Sequence, residues 1–378
     1  MKILITGSNG FVGKNLSMHL SERKEIEVVT FNRDDNPVSL NTKLDGVDFI
    51  FHLAGVNRPK NIEEFTVGNS DLTSKLCQSI IRTKRLIPTV YTSSVQAEQD
   101  SPYGHSKKNS EKILMDFSAV SGSPVYIFRL PNVFGKWCKP NYNSVVATFC
   151  YNISHDLPIK IHDSAAVMRL VYIDDLVKHF LSIMDGALVE PGFNDVNPVY
   201  ELTVGDLAKK LKLYKDSRQN LLTEPVGIGI DRVLYSTYLS YLEPEVFSYE
   251  LTKHKDSRGV FVEMLKTKNS GQFSYFTAHP GITRGGHYHH TKTEKFLVIQ
   301  GYALFRFRHI ISDEIYEIKI SGDAPSVVET VPGWTHDITN IGKDDLVVML
   351  WANENFDRES PDTYLKPLEL PLLEDLSQ

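Results

Sequence analysis

Cysteine is scarce in this chain. Only Cys77, Cys138 and Cys150 occur in 378 residues, and no two of them stand in a CxxC spacing. That excludes a disulfide scaffold and a cysteine-based zinc site, and it fits a reducing compartment. No apolar run reaches the roughly 18 residues that a bilayer-crossing helix needs, so no membrane insertion is expected. A dominant charge is also lacking. The net charge is −6, from 41 basic and 47 acidic residues, and no stretch interleaves basic residues with aromatics along one face. Nucleic acid is therefore not an expected partner. The start, MKILITG, passes directly into an apolar strand without a cleavage site. No signal peptide is expected, and the expected location is cytoplasmic.

What is present begins with a glycine run, Gly7-Ser8-Asn9-Gly10-Phe11-Val12-Gly13, which follows the apolar stretch Lys2–Thr6 and opens a helical pattern. A strand that turns through glycines into a helix offers backbone N–H groups and a positive helix end to an anion, as in dinucleotide pyrophosphate sites. The spacing is GxxGxxG rather than GxGxxG, and in a chain with 23 glycines a turn that serves packing alone is the competing reading. Position favours the phosphate cradle, because a second strand, Ile26–Phe31, arrives one helix length later. Gly7, Asn9, Gly10, Phe11, Val12 and Gly13 are then cofactor-binding candidates. Arg33, just beyond the second strand, occupies the place where an acidic residue would hold a ribose hydroxyl, and a basic residue there suits a 2′-phosphate. NADPH is expected in preference to NADH.

Strands and helices continue to alternate: a strand at Asp48–Leu53, a helix over about 69–82, a strand at Leu86–Ser93, a helix over about 103–120 and a strand at Pro124–Arg129. Short apolar strands separated by helices predict a parallel sheet covered on both faces, a doubly wound, Rossmann-like α/β fold. Pro131, Pro140, Pro158, Pro191, Pro198 and Pro225 break the next stretch into short elements. Beyond it the pattern becomes all-β, with Gln272–Phe276, Glu294–Gln300, Ala303–His309, Ile315–Ile320 and Leu346–Trp351 as short strands of a sandwich or barrel. Two domains are expected, 1–245 and 246–378, with 354–378 as an extended wrap or a partly disordered tail.

In the first domain Tyr103-Gly104-His105-Ser106-Lys107 places a phenol and an ammonium on one face of a helix start, while Ser93 and Ser94 end the fourth strand. A lysine beside a tyrosine lowers the cost of forming phenolate, and a serine hydroxyl can bond the same substrate oxygen. The set suits proton exchange at an oxygen whose carbon trades hydride with a nicotinamide. A surface Tyr–Lys pair is the alternative, and the preceding nucleotide-binding turn weighs against it.

These segments, with His52-Leu53-Ala54-Gly55, resemble the extended short-chain dehydrogenase/reductase family, whose members act mostly on nucleotide-activated sugars. Arg129–Gly135 and Val171–Asp175 resemble later corners of the same fold. The resemblance implies Ser94, Tyr103 and Lys107 as the catalytic triad and Asn69 in a supporting position. It also adds Leu53, Ala54, Tyr103 and Lys107 to the cofactor contacts. Val95 and Gln96 stand where family 4,6-dehydratases carry an acidic pair, which disfavours that activity. Only eight residues separate Ser94 from Tyr103, so a loop that usually borders the sugar site is missing.

In the second domain Gly285-Gly286-His287-Tyr288-His289-His290-Thr291-Lys292-Thr293-Glu294 combines strand alternation with metal-ligand chemistry. His287 and His289 share a strand face, Glu294 can return on the next strand and His336 can join from a distant one. Three imidazoles and one carboxylate suit a divalent transition metal, with zinc the expectation. Metal-free histidines buried in a barrel are the alternative. His287, His289, Glu294 and Gly301, followed by Pro332, Gly333 and His336, resemble the two motifs of the cupin (jelly-roll) family. His290 has the wrong parity for a base facing that site, and Lys292 and Tyr275 have no better claim to that role.

The combination resembles the bifunctional enzymes of the CapF type, including the run Phe134–Asn143. That resemblance implies C3 epimerisation of a UDP-2-acetamido-2,6-dideoxy-4-keto-hexose in the cupin. NADPH-dependent reduction at C4 in the first domain then gives UDP-2-acetamido-2,6-dideoxy-L-talose for capsular polysaccharide. A UDP-sugar partner and a homodimer are expected. A reductase with a structural cupin, a redox-neutral C4 epimerase and a non-catalytic sugar-binding module stay open as alternatives.

Overall fold

The computed structural model describes residues 1–359 and 361–368. It forms two compact units, Met1–Leu211 with Ile228–Leu242, and Lys212–Gly227 with the chain from Glu243 onward. The second unit takes in a piece of chain well before 245 because Leu222–Thr223 pairs in parallel with Lys266–Thr267.

The first unit is built on a six-stranded sheet in the spatial order Glu27–Phe31, Lys2–Thr6, Phe49–His52, Thr89–Ser94, Val125–Leu130, Gly192–Asn194. Every adjacent pair is parallel. The order reverses at Lys2–Thr6, whose neighbours on its two sides are the second and third strands. Ligands of such sheets bind at the carboxyl ends of the strands beside that switch point, here between Gly7 and Leu53-Ala54. On one face Leu4, Ile50, Tyr91 and Ile127 pack with Leu76, Ile80 and Leu114. On the other, Phe180 from the helix Ile173–Met184 lies against Phe51 and Phe128 at 6.0 and 5.2 Å between ring centres. The strands are hydrophobic almost throughout because both faces are covered.

Two elements differ from the sequence pattern. The fourth strand begins at Thr89 rather than Leu86, since Pro88 has no N–H to give to a ladder. The helix expected from 69 starts earlier, as a turn at Glu63–Phe65, and passes through a π-helical stretch, Thr66–Asp71, into Leu72–Thr83. Such a widened turn often marks a site where a side chain is aimed for function, and Asn69 lies inside it.

The second unit has two facing sheets. One runs Leu222–Thr223, Gly259–Thr267, Gln272–Ala278, Leu346–Ala352, Glu294–Gln300, Val327–Glu329, with Lys253–Asp256 beside Gly259–Thr267. The other runs Ile315–Ser321, Tyr302–His309, Trp334–Asn340, Thr283–Tyr288, Tyr364–Leu365. Phe276, Phe296, Val298 and Val348 from the first sheet meet Phe305, Phe307 and Ile338 from the second in a single core, the jelly-roll arrangement expected of a cupin. Of the extended wrap expected over 354–378, Tyr364–Leu365 pairs with His287–Tyr288. Residue 360 and residues 369–378 lie outside the described residues.

Candidate active site and metal centre

In the first unit the glycine run is shaped by close approach. Gly7 has φ +74°, and Gly13 stands so near the turn that a Cβ on it would be 2.3 Å from the Gly7 carbonyl oxygen. Helix Phe11–Ser21 starts there with no side-chain cap and no acid in its first turn, which leaves its first amides and positive end for an anion. Asn32 steadies the turn, its Oδ1 accepting from the Asn9 amide at 3.2 Å and the Ser8 hydroxyl at 3.1 Å. Arg33 projects beside it, its side chain 79% exposed and 3.2 Å from Glu64. At the third strand's end the Ala54 amide donates to Thr6 Oγ1. Buried His52 is held between Thr6 and Thr73, and burial holds it neutral, its pKa down to about 3.

Helix Pro102–Ser121 is capped by Ser101, whose hydroxyl accepts from the Gly104 amide, so Tyr103 falls in the first turn and Lys107 one turn on. The short connection from Ser94 closes as a 3-10 turn, Val95–Glu98. It presses on the helix at Gly104, where a Cβ would be 2.4 Å from the Gln99 carbonyl. Burial raises the Tyr103 phenol above its ordinary pKa, and the adjoining Ser94 hydroxyl draws it back. Lys107 is buried, with Nζ 2.9 Å from the Thr92 carbonyl and 3.4 Å from the Tyr91 hydroxyl. Desolvation lowers its pKa to about 8, against the pull of Glu111. Asn69 bridges Val56 and the Ser106 hydroxyl from the π-helical stretch. Ser94, Tyr103 and Lys107 are thus brought together at the carboxyl end of the sheet.

Sequence reasoning missed the support beneath this group. Ser93 turns away from it and donates to Glu111 at 2.5 Å, and Arg129 grips both oxygens of that carboxylate. Glu111 lies two helical turns beyond Tyr103, and that spacing was its only signal.

In the second unit His287, His289, Glu294 and His336 bring four ligand atoms within 4.8 Å of one another. Gly285 and Gly286, both at positive φ, form a bulge that sets His287 opposite His336. His289 Nδ1 is 2.5 Å from the Asp362 carbonyl oxygen, an acceptor only, so Nδ1 carries a proton and Nε2 is the nitrogen turned to the cluster. That Nε2 faces Glu294 Oε2 at 3.3 Å, and His336 Nε2 faces the same oxygen at 3.5 Å. Burial would raise Glu294, but the two histidines and Lys292 reverse it and hold the carboxyl well below its usual range. Burial and the His336 ring lower His287 to about 4. Three imidazoles around an ionised, buried carboxylate form a donor set that fits a divalent cation with bonds near 2.0–2.2 Å. Lys292 lies 3.3 Å from Glu294 Oε1, whereas Tyr275 alternates with the buried Ser274 and Phe276 and faces the other side of its strand. His290 is exposed.

Residues 3–197 match the NAD dependent epimerase/dehydratase family, and residues 254–364 match the polysaccharide biosynthesis C-terminal domain. Over 364 residues the chain is 59% identical to the UDP-2-acetamido-2,6-beta-L-arabino-hexul-4-ose reductase of Pseudomonas aeruginosa, covering 96% of this chain and 98% of that one. The crystal structure of the capsular polysaccharide assembling protein CapF from Staphylococcus aureus matches with TM-score 0.91 and 42% identity, over 97% of this chain and 100% of that chain. The chain belongs to the CapF family. As in that family, a nucleotide-binding unit is joined to a β-rich C-terminal one, and the first unit is a site for NAD(P). The UDP-glucuronic acid 4-epimerase of Bacillus cereus, solved with NAD, matches at TM-score 0.55 and 16% identity, covering 64% of this chain and 96% of that one. That likeness is one of fold. Among the described residues no helix is long and apolar enough to cross a membrane.

Proposed function

We propose that the chain carries out two successive steps on a UDP-2-acetamido-2,6-dideoxy-4-keto-hexose. The second unit inverts C3, and the first then reduces the C4 ketone with NADPH to give UDP-2-acetamido-2,6-dideoxy-L-talose. The observation that carries this reading is the presence in one chain of two separate constellations, Ser94-Tyr103-Lys107 beside a nucleotide cradle and a buried four-ligand cluster. The order follows from chemistry: the C3 proton is acidic only while C4 is a carbonyl, so inversion precedes reduction.

In the first unit Gly7, Asn9, Gly10, Phe11, Val12, Gly13, Leu53 and Ala54 would hold the dinucleotide, with Arg33 on the 2′-phosphate. NADPH supplies the hydride when bound. Tyr103 gives its phenolic proton to the C4 oxygen, Ser94 bonds that oxygen and Lys107 offsets the phenolate charge. The raised phenol keeps the proton in place until it is needed, and the buried ammonium makes its release less costly. In the second unit His287, His289, Glu294 and His336 would hold a divalent metal, zinc by donor type. A metal there supplies electrophilic polarisation of the C4 carbonyl. Lys292 balances the Glu294 charge. A cytoplasmic homodimer completes the proposal, the oligomeric state being testable by light scattering.

The deciding experiment incubates the 4-keto sugar nucleotide with protein in deuterated water, with and without NADPH, and assigns the product by NMR. Deuterium at C3 without NADPH, and one NADPH oxidised per ketone reduced, are expected. Unexchanged C3 with retained configuration would overturn the bifunctional reading.

A further inference from the structure

The segment 361–367 lies outside both histidine motifs, yet it is fastened to the ligand-bearing strand and loop along its length. Tyr364–Leu365 adds an edge strand to His287–Tyr288, and the Lys366 amide donates to the Gly286 carbonyl at 2.9 Å. Tyr364 stacks on Tyr288 and meets His290 edge-on, at 5.4 and 4.8 Å between ring centres. The centre of this strap is Asp362. Its carboxylate accepts from the backbone amides of His290, Thr291 and Lys292 at 2.9, 2.7 and 2.8 Å, and from the Thr291 hydroxyl at 3.0 Å. Its carbonyl oxygen takes the Nδ1 proton of His289.

We propose that Asp362 is a positioning residue for the metal centre, its carboxylate fixing the turn between His289 and Glu294 while its own carbonyl selects the His289 tautomer that ligates through Nε2. The argument is geometric. Three successive amides converging on one carboxylate leave the turn 290–292 a single path, and that path sets the separation of two ligands only five positions apart. Without the carboxylate those amides lose their acceptor, the turn relaxes and the Asp362 carbonyl no longer meets Nδ1. Partners of this kind govern metal affinity through ligand orientation, and losing one typically costs about 10–100-fold.

This inference rests on the proposed metal site, and the test separates the two. Zinc affinity of the full-length protein is measured by competition with a chromophoric chelator for wild type, Asp362→Ala and Asp362→Asn. Cobalt(II) spectra of each report ligand geometry, and NADPH affinity reports the folding of the first unit. Asp362→Ala is expected to bind zinc about 10-fold or more weakly with altered cobalt d–d bands, and Asp362→Asn, which keeps one acceptor oxygen, to fall between it and wild type. NADPH affinity is expected to hold in both. Wild-type zinc affinity and cobalt spectra in Asp362→Ala would overturn the positioning role alone. Failure of the wild-type protein to take up stoichiometric zinc would overturn the metal site, and the positioning role with it.

Discussion

A Cβ placed on Gly7 would lie 2.7 Å from the α-carbon of Ala54. Two strand ends meet there at the sheet's switch point, at a distance only a glycine tolerates, and Gly7 also sits at φ +74°. Gly7→Ala is expected to weaken NADPH binding at least tenfold and to destabilise the first unit by about 1–3 kcal/mol, the usual scale for such backbone strain. Fluorescence titration with NADPH and thermal unfolding check both, and wild-type values in each would remove the cradle from this position.

Tyr103→Phe is expected to slow C4 reduction by roughly 10²–10⁴-fold, the usual contribution of a positioned acid. NADPH binding and C3 deuterium exchange should persist. Coupled NADPH oxidation and NMR in deuterated water measure the two steps separately; loss of both would mean that the units do not divide the chemistry.

Desolvation lowers the Lys107 pKa to about 8, so its ammonium predominates below that pH and is lost as pH rises through it. Reduction should therefore decline on the alkaline side, and Lys107→Met should be slower at every pH and lack that limb. An identical alkaline limb in the variant would assign the titration to another group.

Arg33 holds Glu64 at 3.2 Å with most of its side chain exposed, a pair of little intrinsic strength that a phosphate can displace. Arg33→Ala is expected to raise KM for NADPH about tenfold while leaving that for NADH nearly unchanged. Equal effects on the two cofactors would show that Arg33 does not read the 2′-phosphate.

Removing metal by chelation, or replacing His287 with alanine, is expected to abolish C3 exchange while sparing reduction of a ketone already inverted at C3. If chelated protein exchanges C3 at the untreated rate, the cluster serves folding rather than catalysis.

The parallel sheet, the helix carrying Tyr103 and Lys107 and the clustering of His287, His289, Glu294 and His336 were all legible in the sequence. Each is marked by short patterns, apolar runs, i, i+4 spacing or strand parity, with His336 marked separately by the Pro332-Gly333 motif before it. Long-range pairings were not. Glu111 reads as an ordinary surface acid of a helix until Arg129 and Ser93 reach it from neighbouring strands. The π-helical stretch around Asn69 has no period of its own, because its reason is the bridge from Asn69 to Val56 and Ser106. Asp362 lies some seventy positions from the turn it holds, in a proline-bearing stretch whose composition indicates only an extended chain. The sequence offered no means of choosing between Lys292 and Tyr275, and the structure places Lys292 3.3 Å from Glu294 while Tyr275 faces away from the buried side of its strand.

The passage of residues 212–227 into the second unit has a consequence for dividing the chain. The chain crosses between the units after residues 211, 227 and 242, so no single break point divides the gene into two complete halves. A cut near 245 would leave Leu222–Thr223 on the wrong fragment and expose the sheet edge at Lys266–Thr267. Separating the units cleanly therefore takes more than one cut, and a fragment beginning at 246 is expected to be less stable than the same unit with 212–227 retained.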